Sequence, residues 1–90
     1  MRKIIARNRF SKEYALMIRR GKDGDKIKVV IGMLVRGETL PLEYRDHPLK
    51  GDFKGCRDCH IEPDWLLIYR LNDEALYLER TGTHADIFGK

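Results

Sequence analysis

Apolar side chains in the first third of the chain recur at helical spacing. One set begins at Phe10 and recurs four, seven and eight positions later, which places four side chains on one helix face. A second set runs from Ile27 to Val35 and is the most regular apolar pattern in the sequence. Glycines separate the two sets and follow the second. The pattern predicts two short helices in an αα-hairpin, preceded by a short strand over residues 3–7.

Short polar residues stand where each predicted helix would begin. Asn8 and Ser11 are the candidate N-caps of the first helix, and Asp23 and Asp25 are those of the second. A side-chain oxygen at this position accepts a hydrogen bond from a backbone amide that has no partner within the helix. Gly37 is expected to end the second helix, because glycine readily adopts the backbone conformation that follows a helix C-terminus.

Three runs of strand length fill most of the second half of the chain. They cover residues 54–61, 65–71 and 75–81, with short turns between them. Strands spaced so closely pair as an antiparallel meander. A strand, two helices and a run of strands predict one α+β domain over residues 1–90. Both helices are expected on one face of the sheet, which leaves the other face open to a ligand.

Two segments carry no clear periodicity. Residues 38–52 are expected to be irregular, because Pro41 and Pro48 interrupt regular structure. After the last strand a short tail carries His84 and Phe88. Three leucines are expected to fix the irregular segment to the core: Leu40, Leu42 and Leu49.

Positive charge is concentrated near the N-terminus. The chain has 18 Lys and Arg against 14 Asp and Glu, and residues 1–22 hold eight basic residues and one acid, Glu13. Such a cluster indicates contact with RNA or the ribosome, since neutralised phosphates release counterions. The alternative is a solvated basic face that keeps the protein in solution. No apolar run reaches the roughly 20 residues of a membrane span, so a cytoplasmic protein without a membrane partner is expected.

The three histidines all lie in the second half of the chain, and each has a carboxylate nearby. They are His47, His60 and His84. Histidine suits proton transfer because its ordinary pKa lies near neutral pH. Cleavage of RNA without a metal needs a base for the 2′-OH, an acid for the leaving 5′-oxygen and a cation near the phosphate. The histidines predict such a site, with a basic rim formed by Lys50, Lys54 and Arg57.

Two placements follow from the predicted strands. His60 and Asp64 flank one hairpin turn, which would bring a base and its orienting group together. The alternative is a pair that stabilises the turn itself. Arg80 is expected on the sheet face of Leu76 and Leu78, where its guanidinium would bind a phosphate. Its alternative role is to pair with a carboxylate of the same sheet.

The segment from Cys56 to His60 has the C-x-x-C-H spacing of haem attachment. Haem attachment needs export, and no apolar region typical of a signal peptide follows the charged N-terminal residues. A strand would also point Cys56 and Cys59 to opposite faces of the sheet. A zinc site lacks a second ligand pair at finger spacing. We therefore expect no cofactor and no metal, with both cysteines reduced and acting as small apolar residues. Trp65 is expected in the core, whereas Phe88 is a candidate to stack on a base.

Three blocks of the second half match a known pattern in the same order. They are Asp46-His47-Pro48-Leu49-Lys50-Gly51, then Arg57-Asp58 with His60 and Glu62-Pro63-Asp64-Trp65-Leu66-Leu67-Ile68-Tyr69, and Glu79-Arg80-Thr81-Gly82-Thr83-His84 through Phe88-Gly89. On these blocks the chain resembles the YafQ-type toxins of the RelE/ParE superfamily of bacterial toxin–antitoxin systems. The resemblance is dense over residues 39–89 and looser before them. Cys56 departs from it, because relatives often carry an aromatic or other residue there.

The resemblance implies a RelE-like fold and a ribosome-dependent endoribonuclease that cleaves mRNA in the A site without a metal, leaving a 2′,3′-cyclic phosphate. It implies His84 as the general acid. Asp64 or His60 would be the base or would orient it. His47 would support the phosphate, and Phe88 would position the base of the mRNA.

The resemblance also implies partners. These are an antitoxin, typically a DNA-binding dimer whose tail wraps the toxin, and operator DNA reached only through that complex. Two other classes remain open. One is a non-catalytic module of the same fold that binds RNA or the ribosome through its basic surface. The other is a poison of DNA gyrase, a less favoured alternative because ParE-like relatives lack these histidines.

Overall fold

The computed structural model of the protein describes residues 1–89 and combines strands with helices. The elements in chain order are β1 (Lys3–Ala6), α1 (Asn8–Arg19), α2 (Gly24–Val35), β2 (His47–Pro48), β3 (Arg57–Glu62), β4 (Trp65–Leu71), β5 (Ala75–Gly82) and α3 (His84–Phe88). The strands form one sheet in the order β1-β5-β4-β3-β2. β1 runs parallel to β5, and the other neighbours are antiparallel. This arrangement confirms the predicted α+β class.

The two long helices bury their apolar stripes against one face of the sheet. The αα-hairpin is confirmed, and α1 and α2 each span 12 residues. Burying a large apolar side chain contributes about 1.5–3 kcal/mol, and most of the buried apolar side chains lie on this face. The core between helices and sheet contains Phe10, Met17, Ile27, Val30, Leu34, Cys59, Trp65, Leu67, Tyr69, Leu76 and Leu78.

The helix ends agree only in part with the sequence predictions. The side chain of Asp23 caps α2 by accepting from the amide of Asp25 at 2.9 Å, as predicted. Within residues 1–89 no side chain caps α1, so the predicted caps of that helix are wrong. The single residue Arg7 links β1 to α1, and its amide donates to the Leu78 carbonyl at 3.0 Å. The chain therefore passes directly from the sheet into the helix. Gly37 follows α2 with a φ of 78°.

The segment before β3 is more ordered than predicted. It contains 3₁₀ helices at Leu42–Tyr44 and Gly51–Phe53, and β2 lies between them. Proline is tolerated there because β2 is a short edge strand. Leu40 is buried, but Leu42 is 96% exposed, so the prediction that Leu42 fixes this segment is wrong.

A second, smaller apolar cluster lies on the other face of the sheet. It contains Cys56, Leu66, Ile68 and Ile87, with Leu49 and Phe53 packed against it. The short helix α3 covers part of this face. The two cysteines are free and lie in opposite clusters, as predicted, and burial raises the pKa of the Cys59 thiol.

The pairing of β4 with β5 shifts by one residue between Ile68 and Tyr69. Leu78 pairs with Tyr69, which packs under the helices, whereas Arg80 pairs with Ile68 of the second cluster. Arg80 therefore does not share the sheet face of Leu78, and that prediction is wrong. No periodicity in the sequence marks such a bulge.

No helix within residues 1–89 has the length and apolar character needed to cross a membrane.

Candidate active site

The three histidines meet on the sheet face that α1 and α2 leave uncovered. His47 comes from β2, His60 from the neighbouring strand β3, and His84 is the first residue of α3. The ring centroids of His47 and His60 are 6.4 Å apart, and those of His60 and His84 are 5.4 Å apart. The structure thus places the three histidines beside one another, and their catalytic roles stay predictions.

Asp64 holds His84 and not His60. Its Oδ1 accepts from the His84 backbone amide at 2.8 Å and lies 2.5 Å from His84 Nδ1. The predicted pairing of His60 with Asp64 is therefore wrong. The β3–β4 register shifts beyond His60, and the turn directs Asp64 towards the start of α3. The amide of His84 and then its ring lower the pKa of Asp64, so this carboxylate stays ionised well below neutral pH.

Asp58 is a buried carboxylate beside two of the histidines. Its side-chain oxygens lie 3.8 Å from His47 Nε2 and 3.9 Å from His60 Nε2. Among residues 1–89 nothing donates a hydrogen bond to its Oδ1, and the residue is 3% exposed. Burial raises the pKa of Asp58. Asp58 was not among the predicted site residues, although residues 58 and 60 share one face of a strand and this spacing was available as a signal.

His60 and His47 have different surroundings. The His60 side chain is 14% exposed, and burial lowers its pKa while Asp58 partly opposes the shift. The neutral imidazole is thereby favoured at His60. His47 Nδ1 lies 2.7 Å from the Arg45 carbonyl, so Nδ1 must carry the proton and Nε2 faces the cluster.

The loop that leads into β2 and His47 is held in place through Asp46, the residue before His47. Arg57 binds this carboxylate through two nitrogens at 3.2 and 3.3 Å, and the Tyr69 hydroxyl donates to it at 2.5 Å. The Arg57 guanidinium thus orders the loop, and its contact with RNA stays a prediction. Lys50 and Lys54 are exposed, as a basic rim requires.

Arg80 is buried between α1 and α3. Its Nε and Nη2 lie 3.0 and 2.7 Å from the carboxylate of Glu13, and Nη2 also lies 3.4 Å from the Asp86 carbonyl. The carboxylate-pairing alternative therefore describes its position, although the partner comes from a helix and not from the sheet. Its contact with RNA remains a prediction that would require Glu13 to release it.

The aromatic residues divide as expected. Trp65 is fully buried, and its Nε1 donates to the Thr81 hydroxyl at 2.9 Å. Phe88 is 38% exposed and packs edge-to-face on Phe53, with ring centroids 5.6 Å apart. A base could stack on the open side of Phe88. Phe53 was not among the predicted site residues, and no sequence pattern places it beside Phe88.

Among the described residues, the histidines and carboxylates are not grouped as ligands of a metal ion. Within residues 1–89 no three His, Cys, Asp or Glu side chains stand close enough together to hold a metal ion. The imidazoles lie side by side, each next to a carboxylate: Asp58 beside His47 and His60, and Asp64 beside His84. Such an arrangement suits acid–base chemistry on a bound phosphodiester.

Comparison with known proteins gives the relatives of this chain. Residues 2–89 match the family described as a bacterial toxin of a type II toxin–antitoxin system, YafQ. The mRNA interferase toxin YafQ of Escherichia coli K12 is 52% identical over 82 residues, which cover 89% of this chain and 88% of the relative. The crystal structure of the E. coli DinJ–YafQ complex contains a chain 48% identical, with a TM-score of 0.92 over 99% of this chain and 100% of that one. YafQ from E. coli BL21(DE3) gives 47% identity and a TM-score of 0.93 over 99% of this chain and 100% of that one. The chain therefore belongs to the YafQ family of bacterial toxins of type II toxin–antitoxin systems.

Proposed function

We propose that this protein is an mRNA interferase, a toxin that cleaves mRNA in the ribosomal A site and so stops translation. The observation that carries the proposal is the contact of His84 with Asp64 on a surface that also presents His47 and His60. The name of the E. coli K12 relative, an mRNA interferase toxin, supports the same activity.

His84 is the proposed general acid. An ionised Asp64 lies 2.5 Å from its Nδ1 and fixes the orientation of the ring. With Nδ1 held, Nε2 is free to face the substrate. The side chain is 41% exposed, so a bound RNA strand can reach it.

His60 is the proposed general base. Its lowered pKa increases the neutral fraction that can accept the 2′-OH proton. Asp64 is the weaker candidate, since its lowered pKa makes it a poor proton acceptor. Asp58 then stabilises the proton that His60 acquires, and it also faces His47.

The proposed reaction needs only proton transfer and charge stabilisation. The 2′-oxygen attacks phosphorus while its proton passes to His60. The bond from phosphorus to the 5′-oxygen breaks, and that oxygen takes a proton from His84. The products are a 2′,3′-cyclic phosphate and a 5′-OH. The rim lysines Lys50 and Lys54 stabilise charge on the phosphate, and His47 in its doubly protonated form donates to it through Nε2.

The proposed partners follow from the family. A DNA-binding antitoxin dimer would cover the histidines with its tail and carry the toxin to operator DNA. The DinJ–YafQ complex supports an antitoxin partner, since the E. coli toxin was crystallised with DinJ. The ribosome would supply the mRNA, and a cytoplasmic location follows from that role.

In-vitro translation of a defined mRNA tests this proposal. Wild type and His84→Ala are compared by primer extension, each with and without ribosomes. Cuts by wild type alone, and only with ribosomes, are expected. Cuts on naked RNA would contradict the ribosome requirement. Arrested translation without cuts by both proteins would favour the non-catalytic binding module.

A further inference from the structure

Helix α1 is tied to the short helix α3 by an ion pair beside the histidine cluster. Arg20, at the C-terminal end of α1, binds Asp86 through Nη1 at 2.6 Å and Nη2 at 3.4 Å. The two residues are 66 positions apart in sequence. A two-nitrogen contact of this kind fixes orientation as well as distance.

Asp86 also caps the helix that begins with His84. Its Oδ2 accepts from the Thr83 amide at 3.0 Å, and its own amide donates to the Thr83 hydroxyl at 3.1 Å. These reciprocal bonds form a capping box. The same carboxylate oxygen, Oδ2, therefore accepts hydrogen bonds from the Arg20 guanidinium and from the amide of Thr83, the residue before His84. These bonds lower the pKa of Asp86 to about 2, so the carboxylate is ionised throughout the neutral range.

The space beside Asp86 is also limited on the side of Gly82. A Cβ at Gly82 would lie 2.9 Å from the Asp86 Cβ, which is closer than real side chains approach. Arg80 adds a contact with the Asp86 carbonyl at 3.4 Å while Glu13 of α1 holds its guanidinium. Two arginines thus connect α3 to α1.

Helix α3 is held in position by contacts with the rest of the fold, among them the ion pair of Asp86 and the packing of Ile87 in the second cluster. It spans five residues, and a helix of that length is not stable by itself. Its first residue is His84 and its last is Phe88, so both move with it. Asp64 holds only the amide and ring of the first residue.

We propose that Arg20 and Asp86 are positioning residues for His84: the ion pair between them sets the place of α3 and thereby aims the imidazole at the leaving oxygen. This proposal rests on the proposed function. Neither side chain touches the reacting atoms. Their effect is on the fraction of bound substrate that meets His84 in reacting geometry, and small displacements of a catalytic group cost large factors in rate.

Single-turnover cleavage by ribosome-bound toxin tests the proposal. Arg20→Ala and Asp86→Asn are expected to lower the cleavage rate about tenfold, with the ribosome concentration for half-maximal rate within about twofold of wild type. Arg20→Lys keeps a positive charge for Asp86 and is expected to recover most of the rate. Arg36→Ala is the matched control, since it removes an arginine from an exposed pair with Glu38 just beyond the end of α2.

Amide hydrogen exchange gives a readout that does not depend on cleavage. The amides of Ile87 and Gly89 donate within α3 at 3.1 and 2.9 Å. Arg20→Ala is expected to speed their exchange about tenfold while exchange in β4 stays unchanged. This result would hold even if wild type cleaved no RNA, so failure of the proposed function is distinguishable from failure of the positioning role.

Two results would overturn the positioning role. One is an Arg20→Ala variant with wild-type rate and wild-type exchange in α3. The other is a defect confined to the half-maximal concentration, which would make Arg20 an RNA or ribosome contact.

Discussion

At the scale of single residues, environment separates two histidines of identical chemistry. His84 is partly exposed and rests on an ionised carboxylate, whereas burial lowers the pKa of His60. This difference in surroundings is why His84 is proposed as the acid and His60 as the base. The sequence could name the histidines as candidates. It could not identify Asp64 as the partner of His84, because the two residues are 20 positions apart. The turn and the short helix that bring them together show no periodic pattern in the sequence.

Asp64→Asn tests the acid assignment. Asparagine can still accept from the His84 amide, but it places no negative charge beside the ring and holds its orientation less firmly. We expect cleavage to fall about 10–100-fold at neutral pH. Single-turnover rates at neutral pH measure this. The Asp64 side chain is 64% exposed, so the melting temperature should stay near that of wild type. An unchanged rate would contradict the role of Asp64.

Asp58→Asn is expected to change stability and cleavage activity in opposite directions. Burial raises the pKa of Asp58, so its charge destabilises the fold above that pKa, and wild type gains stability as pH falls through it. The variant should be more stable than wild type at neutral pH, and this advantage should shrink in acid. Cleavage should fall about tenfold, because His60 and His47 lose a facing carboxylate.

Denaturation across pH, together with cleavage rates, checks the Asp58 prediction. Asp73→Asn, in an exposed turn, is the control and should change neither quantity. A variant that is less stable than wild type at neutral pH would show that the Asp58 charge is stabilised in the fold.

At the scale of elements, length decides what could be predicted. The bounds predicted for β4 are those observed, since the strand is long and apolar. The two-residue β2 and five-residue α3 were missed, because tertiary contacts stabilise them and not propensity. The Thr83-x-x-Asp86 spacing of a capping box was present in the sequence and could have located α3.

The buried hydroxyl of Thr81 links β4 to β5. It accepts from Trp65 Nε1 at 2.9 Å and donates to the Leu66 carbonyl at 2.7 Å. Thr81→Val should lower the free energy of unfolding by about 1–3 kcal/mol, because two buried polar groups lose their partner. Urea denaturation measures the change. Thr81→Ser keeps the hydroxyl and should lose less, whereas equal losses would assign the effect to packing.

At the scale of the whole molecule, the number of basic residues overstates how much positive charge is free to bind phosphates. Arg7, Arg20 and Lys22 belong to the basic N-terminal cluster, yet each binds a carboxylate elsewhere in the fold. These pairs could not be predicted, since their partners are 40 or more positions away in sequence. The fold class and the open face were predictable, because they follow from the order of the elements.

The exposed lysines of the rim provide a test at this scale. Replacing Lys50 and Lys54 by alanine should weaken binding to mRNA-programmed ribosomes. The slope of log affinity against log salt should fall by about 1 for each phosphate that the variant no longer neutralises. The rate of cleavage once bound should change less than the affinity. Arg36→Ala removes one charge outside the rim and should leave the slope unchanged.

The most direct test of the account is single-turnover cleavage of an mRNA whose leaving 5′-oxygen is replaced by sulfur. A thiolate leaves without a proton, so this substrate does not need a general acid. His84→Ala should lose about 10²–10⁴-fold on the oxygen substrate and recover to within about tenfold of wild type on the sulfur substrate. His60→Ala should stay impaired on both. Equal loss by His84→Ala on both substrates would contradict the assignment of His84 as the acid.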